Sequence, residues 1–219
     1  KYSFKHTLVF ILTTSEAQGL NGARAFAKYC KQKGINIKAV VNNDVVGGII
    51  CGQTASPPGC MGAGTIDSTN LRVFSAGGFN SPHKQLARFT KLEYKEQLRQ
   101  LVTVPMTINI MNPLDRTGRG GDHIPFYDEG YTSIRYCSAN EHGNGDVNDP
   151  NYIDRQHTAT DILGVDTDND MVIDSFFIDF NYLARMTVIN ANALAMMGIG
   201  PKTPDFDVST TPAEQGLSV

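Results

Sequence analysis

The side chains able to act on a substrate fall directly after apolar runs. Ser15, Glu16 and Gln18 follow Thr7 to Thr13 (TLVFILT), and Asn42, Asn43 and Asp44 follow Ile37 to Val41. Asp115, Asp122 and His123 follow Thr103 to Met111, while Glu141, His157 and Asp161 follow Tyr131 to Tyr136. Carboxylates and imidazoles gathered at one edge suit a divalent metal, because Asp and His supply oxygen and imidazole ligands and a further Glu can take a proton from water. Each also has a plain structural use. Glu16 can favour the start of the helix that follows, Asp44 can close an Asx turn, and His157 can be a surface histidine. Their joint recurrence at strand ends favours a site.

A second acidic set lies in DTDNDMVID. Asp166, Asp168, Asp170 and Asp174 take the first, third, fifth and ninth positions of a calcium loop, where alternating carboxylates wrap a hard cation. Met171 stands where the sharp turn wants glycine, and Phe177 where a bidentate Glu belongs. A solvated acidic turn is the equal alternative. TGRGGD lacks the Lys and Ser/Thr of a phosphate loop and reads as the flexible lead into Asp122. No serine sits in a G-x-S-x-G elbow.

The elements that must position these groups follow from hydrophobic period. TLVFILT is a continuous β-rich run too short for a helix, the pattern of an interior strand buried on both faces. Leu20 to Lys33 carries Leu20, Ala23, Phe26, Ala27 and Cys30 at helical spacing and stops at Gly34. With Ile37 to Val41 as the next strand, this predicts a βαβ unit with a parallel pair. Val45 to Thr69 is an aperiodic excursion, and Leu71 to Ser75 is a short strand. Ser81 caps a helix with Pro82 in its first turn, its apolar stripe running to about Val102. Thr103 to Met111 is a strand, His123 to Glu129 a short helix ending at Gly130, and Tyr131 to Tyr136 a strand. Phe176 to Met197 is the last helix, closed by Gly198. Alternating strands and helices predict an α/β fold, a three-layer α/β/α sandwich on a mostly parallel sheet.

Composition bounds the function class. The chain has 219 residues, 41% hydrophobic and 19% charged, with a net charge of −3, the composition of a globular protein. No Lys/Arg run draws phosphate backbones or anionic lipid, so nucleic acid is not an expected partner. No apolar run reaches the length of a membrane span. The chain opens on Lys1 rather than Met, as expected of a mature or cut chain. Cys51 and Cys60 flank the loop CGQTASPPGC, whose Pro-Pro-Gly turn can bring them together; a disulfide there and two free thiols are the alternatives, the former suiting an oxidising compartment. Cys30 and Cys137 read as small buried apolar residues.

Five segments in order, TTSEAQGLNGARAFA, VVNNDVVG, RGGDHIPFYDEGYTSIR, RQHTATD and FFIDFNYLARMTVINANALA, resemble the C-terminal two-thirds of the co-catalytic zinc exopeptidases, the family of bacterial aminopeptidases with glutaminyl cyclase and glutamate carboxypeptidase as relatives. The resemblance implies Glu16 as general base, Asp44 and His157 as zinc ligands, and Asp122 with His123 close to the metals or the substrate. Ala17 stands where the family has a ligand Glu, and His6 has Leu8 two residues on, so the family's upstream His and metal-bridging Asp have no counterpart. The resemblance thus implies residues 1–200 as a zinc-exopeptidase-like α/β domain lacking its N-terminal portion, with 201–219 a polar tail. The implied activity is zinc-dependent hydrolysis of N-terminal peptide bonds by an aminopeptidase-like enzyme, periplasmic or secreted, with a peptide as partner and one or two zinc ions. Two alternatives accompany it: a catalytically silent domain that binds peptide or protein, and a glutaminyl-cyclase-like single-zinc transferase.

Overall fold

The computed structural model describes residues 3–51, 64–116, 120–140 and 159–200. Their architecture is α/β. The elements are α1 (Asn21–Gln32), β1 (Val40–Asn43), β2 (Asn70–Phe74), α2 (Pro82–Glu93), a π-helical turn (Tyr94–Leu98), β3 (Thr107–Met111), α3 (Ile124–Asp128), β4 (Ser133–Ser138), β5 (Gly164–Val165), β6 (Ser175–Phe176) and α4 (Phe180–Ile199).

The main sheet has the order β1-β4-β2-β3. β1 pairs parallel with β4, and β2 parallel with β3, but β2 and β4 run antiparallel. Two of three pairings are therefore parallel. The register places Arg135 of β4 opposite Asn42 on one side and Phe74 on the other, with Phe74 opposite Met111. The ends of β1, β2 and β3 thus lie near one level although their directions differ.

Alternation along the strands sorts the two faces. Leu71 and Val73 of β2, Ile108 of β3, and Ile134 and Tyr136 of β4 join Leu86 and Ala87 of α2 and Tyr182, Met186 and Ile189 of α4 in the main core. A smaller cluster joins Ala23 and Ala27 of α1 to Phe126 of α3, with Phe26, Ile37, Val40 and Tyr131 against it. Ser81 caps α2, its Oγ accepting from Lys84 N at 3.2 Å, and Asp179 caps α4 through Tyr182 N at 2.7 Å.

Four expectations need correction. Thr7 to Thr13 is not a strand and enters neither sheet. Val9, Phe10 and Leu12 are 67%, 87% and 100% exposed. Apolar composition records a tendency to be buried, but a strand exists only where a neighbour offers ladder partners, and among the described residues none does. The predicted βαβ unit fails with it, since β1 has only β4 beside it. Phe176 belongs to β6, and α4 starts at Phe180 under the Asp179 cap. Gly198 does not end α4, which runs to Ile199. A Cβ at Gly198 would stand 2.7 Å from the Phe4 ring, so this glycine admits a packing contact. The π-helical turn Tyr94–Leu98 carries on from α2 within the span predicted as one helix.

Candidate functional site

The turn that enters α1 is tightly wound. Ser15 and Leu20 have φ of 56° and 59°. Glu16 O accepts from Gly19 N at 3.0 Å and Leu20 N at 2.8 Å, and Thr14 O accepts from Gly22 N at 3.1 Å. Only glycine fits at position 22, because a Cβ there would lie 2.6 Å from Thr14 O. Glu16 is partly buried in this turn and Ala17 is exposed beside it. Thr13, just before it, donates from Oγ1 to Asp122 Oδ2. The same turn touches the glycine loop before α3, where a Cβ at Gly120 would meet Leu20 Cδ1 at 3.8 Å.

Gly121 marks the closest approach. A Cβ at this position would stand 2.7 Å from Asp44 Oδ2, 2.9 Å from Asn42 Nδ2 and 3.3 Å from His123 Nδ1. Asp44, Asn42 and His123 are therefore neighbours around one backbone point, with Asp122 next to it in the chain, and Thr13 ties the turn of Glu16 to Asp122. His157, Glu141 and Cys60 lie outside the described residues. Cys51 is disulfide-bonded, while Cys30 and Cys137 are buried free thiols, as expected.

Charge in this pocket is organised by Arg135, which is wholly buried on β4. Its Nη1 donates to both oxygens of Asp115 at 2.6 and 2.8 Å, and its Nη2 lies 3.3 Å from Asp44 Oδ2. Burial raises the Asp115 carboxyl, but the Arg135 charge and hydrogen bonds, with the Arg116 amide, outweigh it and hold its pKa below the usual value. Burial likewise acts against the Arg135 charge, and Cys137, Asp44 and Asp115 override it, so the guanidinium stays protonated. His123 has no exposed surface. Its Nε2 sits 2.9 Å from Leu114 O, an acceptor only, so Nε2 carries the proton and Nδ1 presents a lone pair. Burial pushes its pKa down, keeping the ring neutral.

Several buried polar atoms here lack a hydrogen-bond partner: Asn42 Nδ2, Asp122 Oδ1, His123 Nδ1 and Arg135 Nε. Such atoms are uncommon in folded proteins and mark places where a ligand, ion or water completes the shell. Asp122 Oδ1 and the partly exposed Asp44 carboxylate are hard oxygen donors that fit part of a zinc shell. They do not close one: among the described residues the one set of three close acidic, His or Cys ligand atoms is Asp166, Asp168 and Asp174, within 4.8 Å of one another.

That acidic set belongs to the loop between β5 and β6. Asp166 accepts from Asn169 N, Asp170 N and Met171 N, and Asp174 from Thr167 N and Oγ1. Asp170 turns its carboxylate to Val172 N at 2.8 Å and is outside the cluster. The loop's own amides thus occupy much of its carboxylate capacity.

Three contributors were missed from the sequence. Thr13 ends the apolar run TLVFILT, whose composition gives no sign of a polar contact. Arg135 sits in the run TSIRYCS, where one cation among strand-forming residues was the available signal. Lys84, on α2, buries its Nζ against Ser75 O (2.5 Å), Ser75 Oγ (3.0 Å), Met111 O and Asn112 O (3.2 Å), closing the ends of β2 and β3. Burial, with the nearby Arg88, lowers its pKa.

Known proteins supply an independent comparison. The sequence profile of peptidase family M28 matches residues 1–53. A probable zinc metalloprotease of Pyrenophora tritici-repentis is 29% identical over 96% of this chain and 46% of its own length. One from Phaeosphaeria nodorum is 28% identical over 98% of this chain and 41% of its own, and one from Leptosphaeria maculans is 31% identical over 94% and 46%. The chain thus spans less than half the length of these curated relatives. Together these matches support a co-catalytic zinc exopeptidase-type family, with peptidase family M28 as the profile matched.

Proposed function

We propose that this chain is part of a zinc-dependent peptidase that hydrolyses N-terminal peptide bonds, with Glu16 as general base and Asp44 and His157 as zinc ligands. The observation that carries the reading is the convergence of Asp44 and His123 on Gly121, beside Asp122 in the chain, with Thr13 joining the Glu16 turn to Asp122. The zinc metalloprotease names of its relatives support the metal. Zinc, when bound, supplies Lewis-acid polarisation of the scissile carbonyl. Glu16 takes the proton of the attacking water and returns it to the leaving amine. Asp122, partly buried, is a carboxylate suited to orienting a substrate's free amine, while the enclosed His123 holds the loop through Leu114 O. The domain is read as a three-layer α/β/α sandwich in a periplasmic or secreted protein.

A second reading, a silent relative that binds peptide, is favoured by one residue: the methyl of Ala17 cannot ligate zinc where the family has Glu. Metal analysis with an aminoacyl-arylamide assay separates the two. The peptidase reading expects about one or two zinc ions per chain and a loss of about 10²–10⁴-fold in hydrolysis on Glu16→Gln. Metal-free protein without hydrolysis supports the silent domain.

A further inference from the structure

We infer that Arg135 is the positioning residue of the Asp44 carboxylate, clamping its Oδ2 so that Oδ1 is left to face a cation. The inference rests on the zinc-peptidase reading and adds to it a residue outside the ligand set.

One guanidinium joins three chain segments. Nη2 reaches both Asp44 Oδ2 and the Asp44 backbone oxygen at 3.3 Å, at the end of β1. Nη1 takes both Asp115 oxygens in the loop after β3 and lies 3.4 Å from Gly120 O, before α3. A guanidinium is rigid and planar, so Asp115 on one arm fixes the direction of the other. Asp115 is itself anchored by the Arg116 amide at 2.7 Å and stands 3.7 Å from His123 Nε2. The charges also fit. Asp115 is met by two guanidiniums, Arg135 and Arg116, the latter with Nε at 3.2 Å, and the exposed side of the group lies at Asp44, whose side chain is 26% accessible against 3% for Asp115. Asp115 is thus compensated within the protein, while Asp44 meets Arg135 through one oxygen and solvent with the rest of its surface. A carboxylate held through one oxygen by a buried donor and open at the other is the arrangement by which outer-shell groups orient metal ligands.

The rival is that Arg135 merely neutralises buried Asp115. Zinc affinity, by competition with a chromophoric chelator, and the visible spectrum of the cobalt(II)-loaded protein are measured for wild type, Asp44→Ala, Arg135→Lys and the double variant Arg135→Met/Asp115→Leu. The double variant removes the Arg135–Asp115 pair together, so that neither is left buried without the other. The expected result is a zinc affinity about 10–100-fold weaker in both Arg135 variants, with an altered cobalt spectrum and a cooperative melting transition retained. Wild-type affinity and spectrum in either folded Arg135 variant overturn the inference. If Asp44→Ala weakens zinc and the Arg135 variants do not, it falls alone and the zinc reading stands. A wild-type protein that binds no zinc removes both. Should the Arg135 variants not fold, Asp115→Asn serves: the guanidinium then sits uncompensated beside Asp44, and unchanged zinc affinity overturns the inference equally.

Discussion

Replacing Gly121 by alanine is the sharpest probe of the pocket, because one methyl reaches three of its side chains together. The new Cβ would stand 2.7 Å from Asp44 Oδ2, 2.9 Å from Asn42 Nδ2 and 3.3 Å from His123 Nδ1. Two of these contacts are shorter than real side chains allow, and the third is tight. Each neighbour is a side chain, so the question is whether any can yield. His123 is tethered at Nε2 by Leu114 O and enclosed on all sides, and Asp44 is held by Arg135. Asn42 lies in β1, opposite Arg135. His123 and Asp44 cannot move without breaking a buried polar contact, and Asn42, whose Nδ2 has no hydrogen-bond partner, is held by its place in β1, so the cost should be that of overpacking, about 1–3 kcal/mol. For a chain of this size it lowers Tm by roughly 2 to 12 °C. Gly78 is the control, since a Cβ there meets nothing within 4 Å, and Gly78→Ala should be neutral or stabilise by about 0.4–1 kcal/mol. Both variants are compared with wild type by thermal and denaturant unfolding in the presence of chelator. If Gly121→Ala melts with wild type or with Gly78→Ala, the three side chains do not converge, and the candidate site dissolves.

Acid titration offers a second test. The pKa of His123 is lowered by burial from 6.5, so the stability it contributes is present above that pH and is lost as pH falls through its folded value, with a limiting slope of about 1.4 kcal/mol per pH unit. His123→Gln should flatten that limb of the unfolding free energy against pH, leaving the loss below 3.8 to which Asp115 contributes; an unchanged limb means the ring is solvated. Ile134, with no exposed surface between the two cores' strands, should cost about 2–5 kcal/mol as Ile134→Ala in denaturant unfolding, whereas Leu12→Lys, at a fully exposed position, should stay within about 0.5 kcal/mol of wild type. Ser81→Ala removes the α2 cap at Lys84 N and should cost about 0.5–2 kcal/mol by the same measurement.

Helices with strong local signals were legible. α1 keeps the stripe of Ala23, Ala27 and Cys30 that spacing predicted, and Gly34 takes φ of 64° just past its end. α2 starts where Ser81 and Pro82 place it. Strands were found but their bounds moved: the apolar run Ile37 to Val41 became Val40–Asn43, because pairing with β4 rather than composition decides where the ladder begins. The β5–β6 pair was not foreseen, since two-residue strands leave no period. The antiparallel β2–β4 contact was invisible for a related reason, as alternation of strands and helices says nothing about which strand lies next to which. In the site, strand-end carboxylates pointed to Asp44, Asp122 and His123, which do gather. Partners that act through them, Thr13 and Arg135, could not be read, because Thr13 reaches Asp122 and Arg135 reaches Asp44 across more than 90 residues of sequence.

β4 shows why the polar half of the pocket is inside the protein at all. All six of its residues are buried, so both faces of this strand must be satisfied, whereas an edge strand could turn its polar face to water. Ile134 and Tyr136 go to the main core; Arg135 falls on the other face, where polar groups from the loops after β1 and β3 and before α3 meet it. An apolar residue at 135 would take from Asp115, 3% accessible, the nearer of its two buried guanidiniums and leave Arg116, whose Nε stands 3.2 Å from Asp115 Oδ1, as its remaining counter-ion, a loss that destabilises the fold. A guanidinium at 135 has the reach to hold Asp115 with one arm and Asp44 with the other. Stability and site geometry are set by the same contact, which predicts that Arg135→Met alone should lose both stability and metal affinity, whereas Arg135→Lys, which keeps a cation beside Asp115, and the double variant, which removes Asp115 as well, should lose metal affinity with the fold retained.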